Sequence, residues 1–340
     1  MFVSILVTCY NLESYIGSAL ESVFCQDYTG NFEVIVVDDC STDGSIEVIN
    51  RFPNVKLISN EVNQGVLLST IKGLKAATGE LVFFLDGDDV WSKEKVTESV
   101  ARFQARPNLA FFTHELKIID SKGNETLKKP ISVDLNLEQP NLCSEQVRNG
   151  LLCHCNYLWL GSAYVIRRSI INLDDFFAFL NEQPNLRECY QDWPLAFWIA
   201  CQPDISFAYS PKIMMSYRIH GLNHSGDSSS ADRAIRNVAR QRNTVLLMFK
   251  MLKYFGGDRM AWKAASQKLR FSEYLHDLYT GRRLKSCCGF FSSIPFLISR
   301  KSLLKETIRL LVCQCFGLTC FVRILSFLRR SFSHRLRSQA

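Results

Sequence analysis

Apolar and polar positions in the first hundred residues alternate between two periods. Residues 2–8 are mostly apolar, as a buried strand needs. Residues 13–24 then set Tyr15, Ile16, Ala19, Leu20 and Val23 on one helical face. Residues 32–37 are a second apolar run, closed by Asp38-Asp39. Ser41 or Thr42 can cap a helix reaching about Arg51. Residues 55–59 read as a third strand, 65–77 as a helix stopped at Thr78-Gly79, and 81–85 as a fourth strand. This rhythm predicts an α/β fold with a mostly parallel sheet flanked by helices. Such sheets bind ligands beyond the carboxyl ends of their strands. Tyr10-Asn11, Asp38-Asp39 and Asp86–Asp89 all fall at those ends, so the three clusters are expected to meet in one crevice.

The middle of the chain is less regular. Residues 109–113, 158–167 and 213–219 read as strands, 123–139 as a polar loop or edge hairpin, and 192–200 as a helix. A Ser/Asp/Gly linker spans 225–232, and helical patterns follow at 234–253 and 262–278. The expected division is a domain over 1–225, with halves 1–112 and 113–225, and a helical C-terminal extension over 226–340.

The 340 residues are 47% hydrophobic and 21% charged, which excludes a disordered chain. Thirteen cysteines lack metal-site spacing; Cys9 and Cys201 read as small core residues, and a reducing cytosol suits the set. The first residues resemble a strand rather than a secretory leader. Charge is uneven. Residues 282–340 hold twelve Lys/Arg against Glu306, a balance of +11, while the first 281 residues carry −4. A basic tail points to an anionic partner.

The densest chemistry is LVFFLDGDDVW, residues 81–91. Three carboxylates at the end of an apolar strand require a compensating cation. A divalent metal with oxygen ligands, its shell completed by substrate phosphates, suits that need; a solvated turn is the plainer reading. Asp39-x-Ser41-x-Asp43-Gly44 imitates a calcium loop but ends on Asn50, where a bidentate Glu is wanted. No GxGxxG follows the first strand and no GxxxxGK[ST] occurs, which argues against a dinucleotide-binding dehydrogenase and a P-loop enzyme.

Taken in order, residues 3–11 (VSILVTCYN), 36–43 (VVDDCSTD), 63–65 (NQG), 77–80 (ATGE) and 86–91 (DGDDVW) resemble a family 2 glycosyltransferase of the inverting, GT-A type. The likeness continues more thinly through 191–193 (QDW) and 217–225 (YRIHGLNHS). The resemblance implies transfer of a sugar from a UDP-, GDP- or dTDP-sugar to a glycan or lipid-linked acceptor in cell-surface glycan synthesis. It makes 1–112 the donor half and 113–225 the acceptor half. Thr8, Tyr10, Asn11 and Asp39 would hold the nucleoside, and Asp38 would instead face a helix dipole. Asp88, Asp86 and His220 would meet Mg2+ or Mn2+, with Asp86 also near ribose, Asp89 near metal or sugar, and Arg218 near the diphosphate. Asp192 would be the general base, although an Asp at a helix start is also a good cap.

The sequence also departs from that pattern. Gln191 stands where an acidic residue is common, and Ser69-Thr70-Ile71 replaces an Ala-Arg-Asn stretch, leaving only Lys72 near the phosphates. These gaps keep open a second reading, a catalytically silent domain that binds nucleotide or glycan. Residues 303–328 are apolar but broken by Arg309, Gln314 and Arg323, too short a run to span a bilayer. With Arg330 and Arg337 recurring at sevenfold spacing, the tail suits a helix lying on an anionic membrane at its cytoplasmic face. A helical subdomain with a basic face is the alternative. No nucleic-acid module accompanies the charge.

Overall fold

A computed structural model describes residues 1–126, 141–153, 161–221, 230–293, 306–315 and 318 of the chain. Two compact units divide it, Met1–His220 and Gly221–Ala340.

The first unit opens with the expected alternation. Strand β1 is Val3–Cys9, helix α1 Ile16–Phe24, β2 Phe32–Asp38, α2 Ser45–Ile49, β3 Val55–Ser59, α3 Val66–Ala76 and β4 Leu81–Asp86. The order β3-β2-β1-β4 is parallel throughout. All seven residues of β1 are buried, as expected for a central strand covered on both faces. Register decides the rest. Cys9 pairs with Asp38 and Thr8 with Asp86, so β1, β2 and β4 end side by side.

Beyond β4 the sheet becomes mixed. The further elements are β5 (Val90–Trp91), α4 (Lys95–Ala105), β6 (Leu109–Ile119), β7 (Asn141–Cys143), α5 (Ser144–Cys153), β8 (Val165–Arg167), α6 (Leu173–Asn181), α7 (Asp192–Ala200) and β9 (Ser206–Arg218). Strand β8 joins β4 antiparallel, β6 joins β8 antiparallel, and β9 runs parallel to β6 and antiparallel to β5 and β7. One sheet thus crosses both expected halves of the domain.

Several sequence boundaries need correction. The strand read at 109–113 extends to Ile119 and that at 213–219 begins at Ser206, because register shifts near His114 and Glu115 let the two strands stay paired past polar residues. Helices α4, α5 and α6 were not expected. Within 158–167, Gly161–Ala163 is a single 3-10 turn and only Val165–Arg167 is strand; the earlier residues lie outside the described set, as does most of 123–139. The described start of that segment does form a hairpin, with Thr126 N–H donating to the Ile118 carbonyl at 2.9 Å.

Helix α7 matches its expected span. Its hydrophobic residues leave no polar face, and every residue after Asp192 is buried. Burial therefore fixes the helix and leaves its first residue, Asp192, at the edge of the core.

The second unit contains α8 (Ala231–Phe255), α9 (Arg259–Tyr279) and α10 (Arg283–Ser293), and residues 306–315 are also helical. Its core gathers Val238, Tyr274, Leu275, Leu278, Phe290 and Cys313. Ser230 and Asp258 cap α8 and α9 through the N–H groups of Arg233 and Ala261. Among the described residues no helix is long and apolar enough to cross a membrane. Most of the 225–232 linker, and Arg323, Arg330 and Arg337 of the tail, lie outside the described residues.

Arg167 locks β8 to the rest of the sheet. Its buried guanidinium donates to Glu80 Oε1 at 2.8 Å, to the Phe103 carbonyl at 2.5 Å and to the Leu109 carbonyl at 3.2 Å. Arg167→Ala strands those carbonyls and is expected to cost about 3 kcal/mol, read as a lowered denaturation midpoint of the full chain. An unchanged midpoint would remove the locking role.

Candidate active site

The aligned ends of β1, β2 and β4 bring the predicted residues to one rim of the first unit. Asn11 and Asp39 lie toward β2. Asn11 adopts a left-handed conformation, φ 53°, accepts the Thr42 N–H at 2.8 Å and donates its own N–H to Ser41 Oγ at 2.9 Å. It ties the loop after β1 to the loop after β2. Tyr10 beside it is half-buried.

Asp39 is buried, and both its oxygens are occupied by the chain. Gln64 N–H and the Asn60 amide reach Oδ1, each at 2.8 Å, and Gly65 N–H reaches Oδ2 at 2.8 Å. The Asn63-Gln64-Gly65 motif is therefore the loop that Asp39 holds. Gly65 must be glycine on two counts: its φ is +87°, and a Cβ there would stand 2.2 Å from the Arg187 carbonyl oxygen. Asp38 accepts the Ser41 N–H on Oδ2 at 2.9 Å, while its buried Oδ1 has no hydrogen-bond partner among the described residues. Lys72 is turned to Asn60 Oδ1 at 2.8 Å and the Ser59 carbonyl at 3.2 Å.

The Asp86–Asp89 turn lies toward β4, closed by Asp89 N–H donating to the Asp86 carbonyl at 3.0 Å. Its three carboxylates have different surroundings. Asp86 Oδ1 accepts from Thr8 Oγ1 at 3.0 Å and from Gln191 Nε2 at 2.5 Å. Asp89 is buried, with Ser162 Oγ donating to Oδ2 at 2.6 Å and Arg218 N–H to Oδ1 at 2.9 Å. Asp88 Oδ2 lies 2.9 Å from His220 Nε2. Burial pushes the Asp86 carboxyl up to about 6, and the charge of Asp88 adds to it; hydrogen bonds from Gln191 and Thr8 act the other way. Burial, then Asp88 and Asp86, holds the Asp89 carboxyl well above the carboxylate range.

Arg218 and His220 come from the end of β9. Arg218 Nε donates to the Asp88 carbonyl at 2.8 Å, and its guanidinium lies 5.2 Å over the Tyr15 ring. That ring also stands 4.4 Å from the His220 imidazole, a contact the helical pattern of residues 13–24 did not suggest.

Asp192, at the first position of α7, accepts the Trp193 N–H at 3.0 Å. Its neighbour Gln191 reaches the turn. Thr70 Oγ1 donates to Gln191 Oε1, which fixes the amide so that Nε2 faces Asp86. Gly161 permits this approach, since a Cβ at 161 would lie 2.3 Å from Gln191 Nε2. Asp192 is thereby one residue from a direct bond to Asp86, and the buried Tyr164 hydroxyl feels both carboxylates. Sequence reasoning missed Gln191 as a donor, together with Ser162 and Lys95. The only signal was Gly161-Ser162 inside an otherwise apolar run.

The donor set defines what metal it could hold. Asp88 and His220 converge, while the oxygens of Asp89 are committed to the protein. No group of three or more His, Cys, Asp or Glu suited to a metal occurs among the described residues. Two protein ligands fit a magnesium or manganese ion that takes the rest of its shell from phosphate and water; they do not fit a closed protein cage.

The raised Asp86 carboxyl gives a pH signature. Its folded value near 6 exceeds the ordinary 3.8, so the folded chain binds this proton first as pH falls. The penalty for an ionised Asp86 is full above about pH 6 and is relieved between pH 6 and 4. Wild type should gain up to about 2 kcal/mol relative to Asp86→Asn across that window, measured as the difference between their melting curves from about pH 7.5 to 4. Parallel curves would contradict the assignment.

Comparison with known proteins bears on the family and the fold. Residues 4–168 match the family model for glycosyl transferase family 2. A putative teichuronic acid biosynthesis glycosyltransferase of Bacillus subtilis, TuaG, is 34% identical over 113 residues, 32% of this chain and 44% of that protein. The curated relatives found first are matched over only 38% to 44% of their own length. Staphylococcus aureus TarS 1–349, solved with UDP-GlcNAc, superposes with a TM-score of 0.57 at 19% identity, covering 97% of this chain and 92% of that one. The mannosyltransferase PcManGT of Pyrobaculum calidifontis, solved with GDP-Man and Mn2+, gives 0.52 at 15% identity, covering 99% and 88%. These likenesses carry the GT-A fold. With the five motifs, the family match marks residues 4–168 of this chain as similar to family 2 glycosyltransferases.

Proposed function

We propose that the protein is an inverting glycosyltransferase that moves a sugar from a nucleotide-sugar to a hydroxyl of a cell-surface glycan or its lipid-linked precursor. The observation that carries this reading is the Gln191 bridge, which sets the start of α7 against the Asp86–Asp89 turn. A donor-binding turn and a carboxylate at the helix start beside it are the two halves an inverting transfer needs.

In this reading Thr8, Tyr10, Asn11 and Asp39 shape the nucleoside end. Asp39 acts through the Gln64–Gly65 loop whose N–H groups it holds. Asp88 and His220 would hold Mg2+ or Mn2+, which supplies Lewis-acid stabilisation of the departing diphosphate. The Mn2+ found with GDP-Man in PcManGT supports that choice of ion class. Arg218 places its charge behind the same turn. Asp192, half-buried at a helix start where negative charge is favoured, takes the proton from the acceptor hydroxyl as it attacks the anomeric carbon. The basic segment 282–340 holds the protein to the anionic cytoplasmic face of the membrane, where lipid-linked acceptors are presented.

A silent nucleotide- or glycan-binding scaffold is the second reading. It is favoured by one observation, that the Asp39 and Asp89 oxygens are already taken by the chain. Turnover separates the two. With membranes and a panel of UDP-, GDP- and dTDP-sugars, mass spectrometry should detect metal-dependent transfer. Asp192→Asn should lower kcat by about 10²–10⁴-fold with circular dichroism unchanged. Asp88→Ala should abolish the metal dependence. Near-normal turnover in either variant removes that residue from the mechanism, and no turnover with any donor leaves the scaffold.

A further inference from the structure

Lys95 defies its surroundings. It is fully buried, and it occupies the first position of α4, where a helix dipole disfavours a cation. Burial holds its ammonium well below the ordinary lysine range, with Asp89 acting in the opposite direction. A methionine would fill the same space without the desolvation cost. Residues that break local rules in this way concentrate where function constrains the chain.

The bonds of Lys95 lead to the Asp86–Asp89 turn through one residue. Lys95 Nζ donates to the Ser162 carbonyl at 2.5 Å and lies 4.3 Å over the Trp91 ring. Trp91 Nε1 donates to the same carbonyl at 3.0 Å. On its other side Ser162 braces the turn. Its Oγ accepts the Asp86 N–H at 2.9 Å and donates to Asp89 Oδ2 at 2.6 Å, so one hydroxyl grips both ends of a four-residue segment. Asp89 in turn holds the Arg218 N–H, and Arg218 holds the Asp88 carbonyl. Asp88 is thus suspended between two fixed points, with its carboxylate at His220.

We propose that Ser162 is a positioning residue for the donor site, setting the spacing of the Asp86–Asp89 turn, and that Lys95 fixes Ser162 from behind. Neither touches the ligand. The proposal rests on the reading of Asp88 as the residue that meets metal and diphosphate. It assigns the buried lysine a role in binding rather than in folding, because the bonded carbonyl could be satisfied at lower cost by Trp91 alone.

Calorimetry on the full chain tests it with UDP, GDP and dTDP, each with Mn2+ and again in EDTA. For the nucleotide that wild type takes up, Ser162→Ala should weaken the Mn2+-assisted affinity by about tenfold or more. Affinity in EDTA should stay within about twofold, since the nucleoside end is untouched. Lys95→Met keeps the side-chain length and should give the same pattern at about three- to tenfold, with a melting temperature no lower than wild type. A general loss of structure would weaken both arms together, and that result overturns the proposal, as does full Mn2+-assisted affinity in both variants. Should Ser162→Ala fail to fold, Lys95→Met carries the test. If wild type takes up no nucleotide with Mn2+, the donor-site reading falls and this role with it. If wild type binds and the variants bind equally well, only the positioning role falls.

Discussion

Three carboxylates within four residues at the end of a buried strand set the terms for the rest of the first unit. At such distances and low polarity their mutual repulsion is large. The fold answers by giving each a different fate. Asp89 is buried and neutralised by donors, and Asp86 is held by a threonine and an amide. Asp88 is left toward an imidazole. The donors come from β1, the 3-10 turn at Gly161–Ala163, the start of α7 and the end of β9. Elements distant in sequence are therefore drawn to β4 by one electrostatic demand, and their meeting at one rim is the consequence.

The parallel half was legible because its physics is local. Continuous apolar runs mean strands buried on both faces, one-sided helical periodicity means helices packed on them, and polar residues at the strand ends mean a rim. That logic located Thr8, Asn11, Asp39 and Asp86 correctly on loops or strand ends. It could not say that Asp39 spends its oxygens on Gln64 and Gly65, since that depends on a loop 25 residues away. The second half was less legible for the same reason. Strand β9 carries Pro211 and Lys212 in its middle and pairs through register shifts, so its alternation is broken where it matters. Helix α4 begins Lys-Val-Thr-Glu, which reads as a polar surface, yet Lys95 is buried.

Gln191 shows how a departure in sequence takes on meaning in three dimensions. As a letter it is a lost carboxylate. In place, its amide donates to Asp86 and receives from Thr70, two bonds of opposite polarity that an ionised carboxylate could not make at once. A carboxylate there would be a fourth negative group against the turn unless it carried a proton. The substitution therefore relieves charge at the most crowded point of the rim, and it does so without moving Asp192, whose position is dictated by burial of the apolar helix behind it. In this chain, where the helix starts is a matter of hydrophobic packing, and how it addresses the Asp86–Asp89 turn is a matter of one amide. The two are physically independent, so Asp192 could be kept in place while the charge beside it changed.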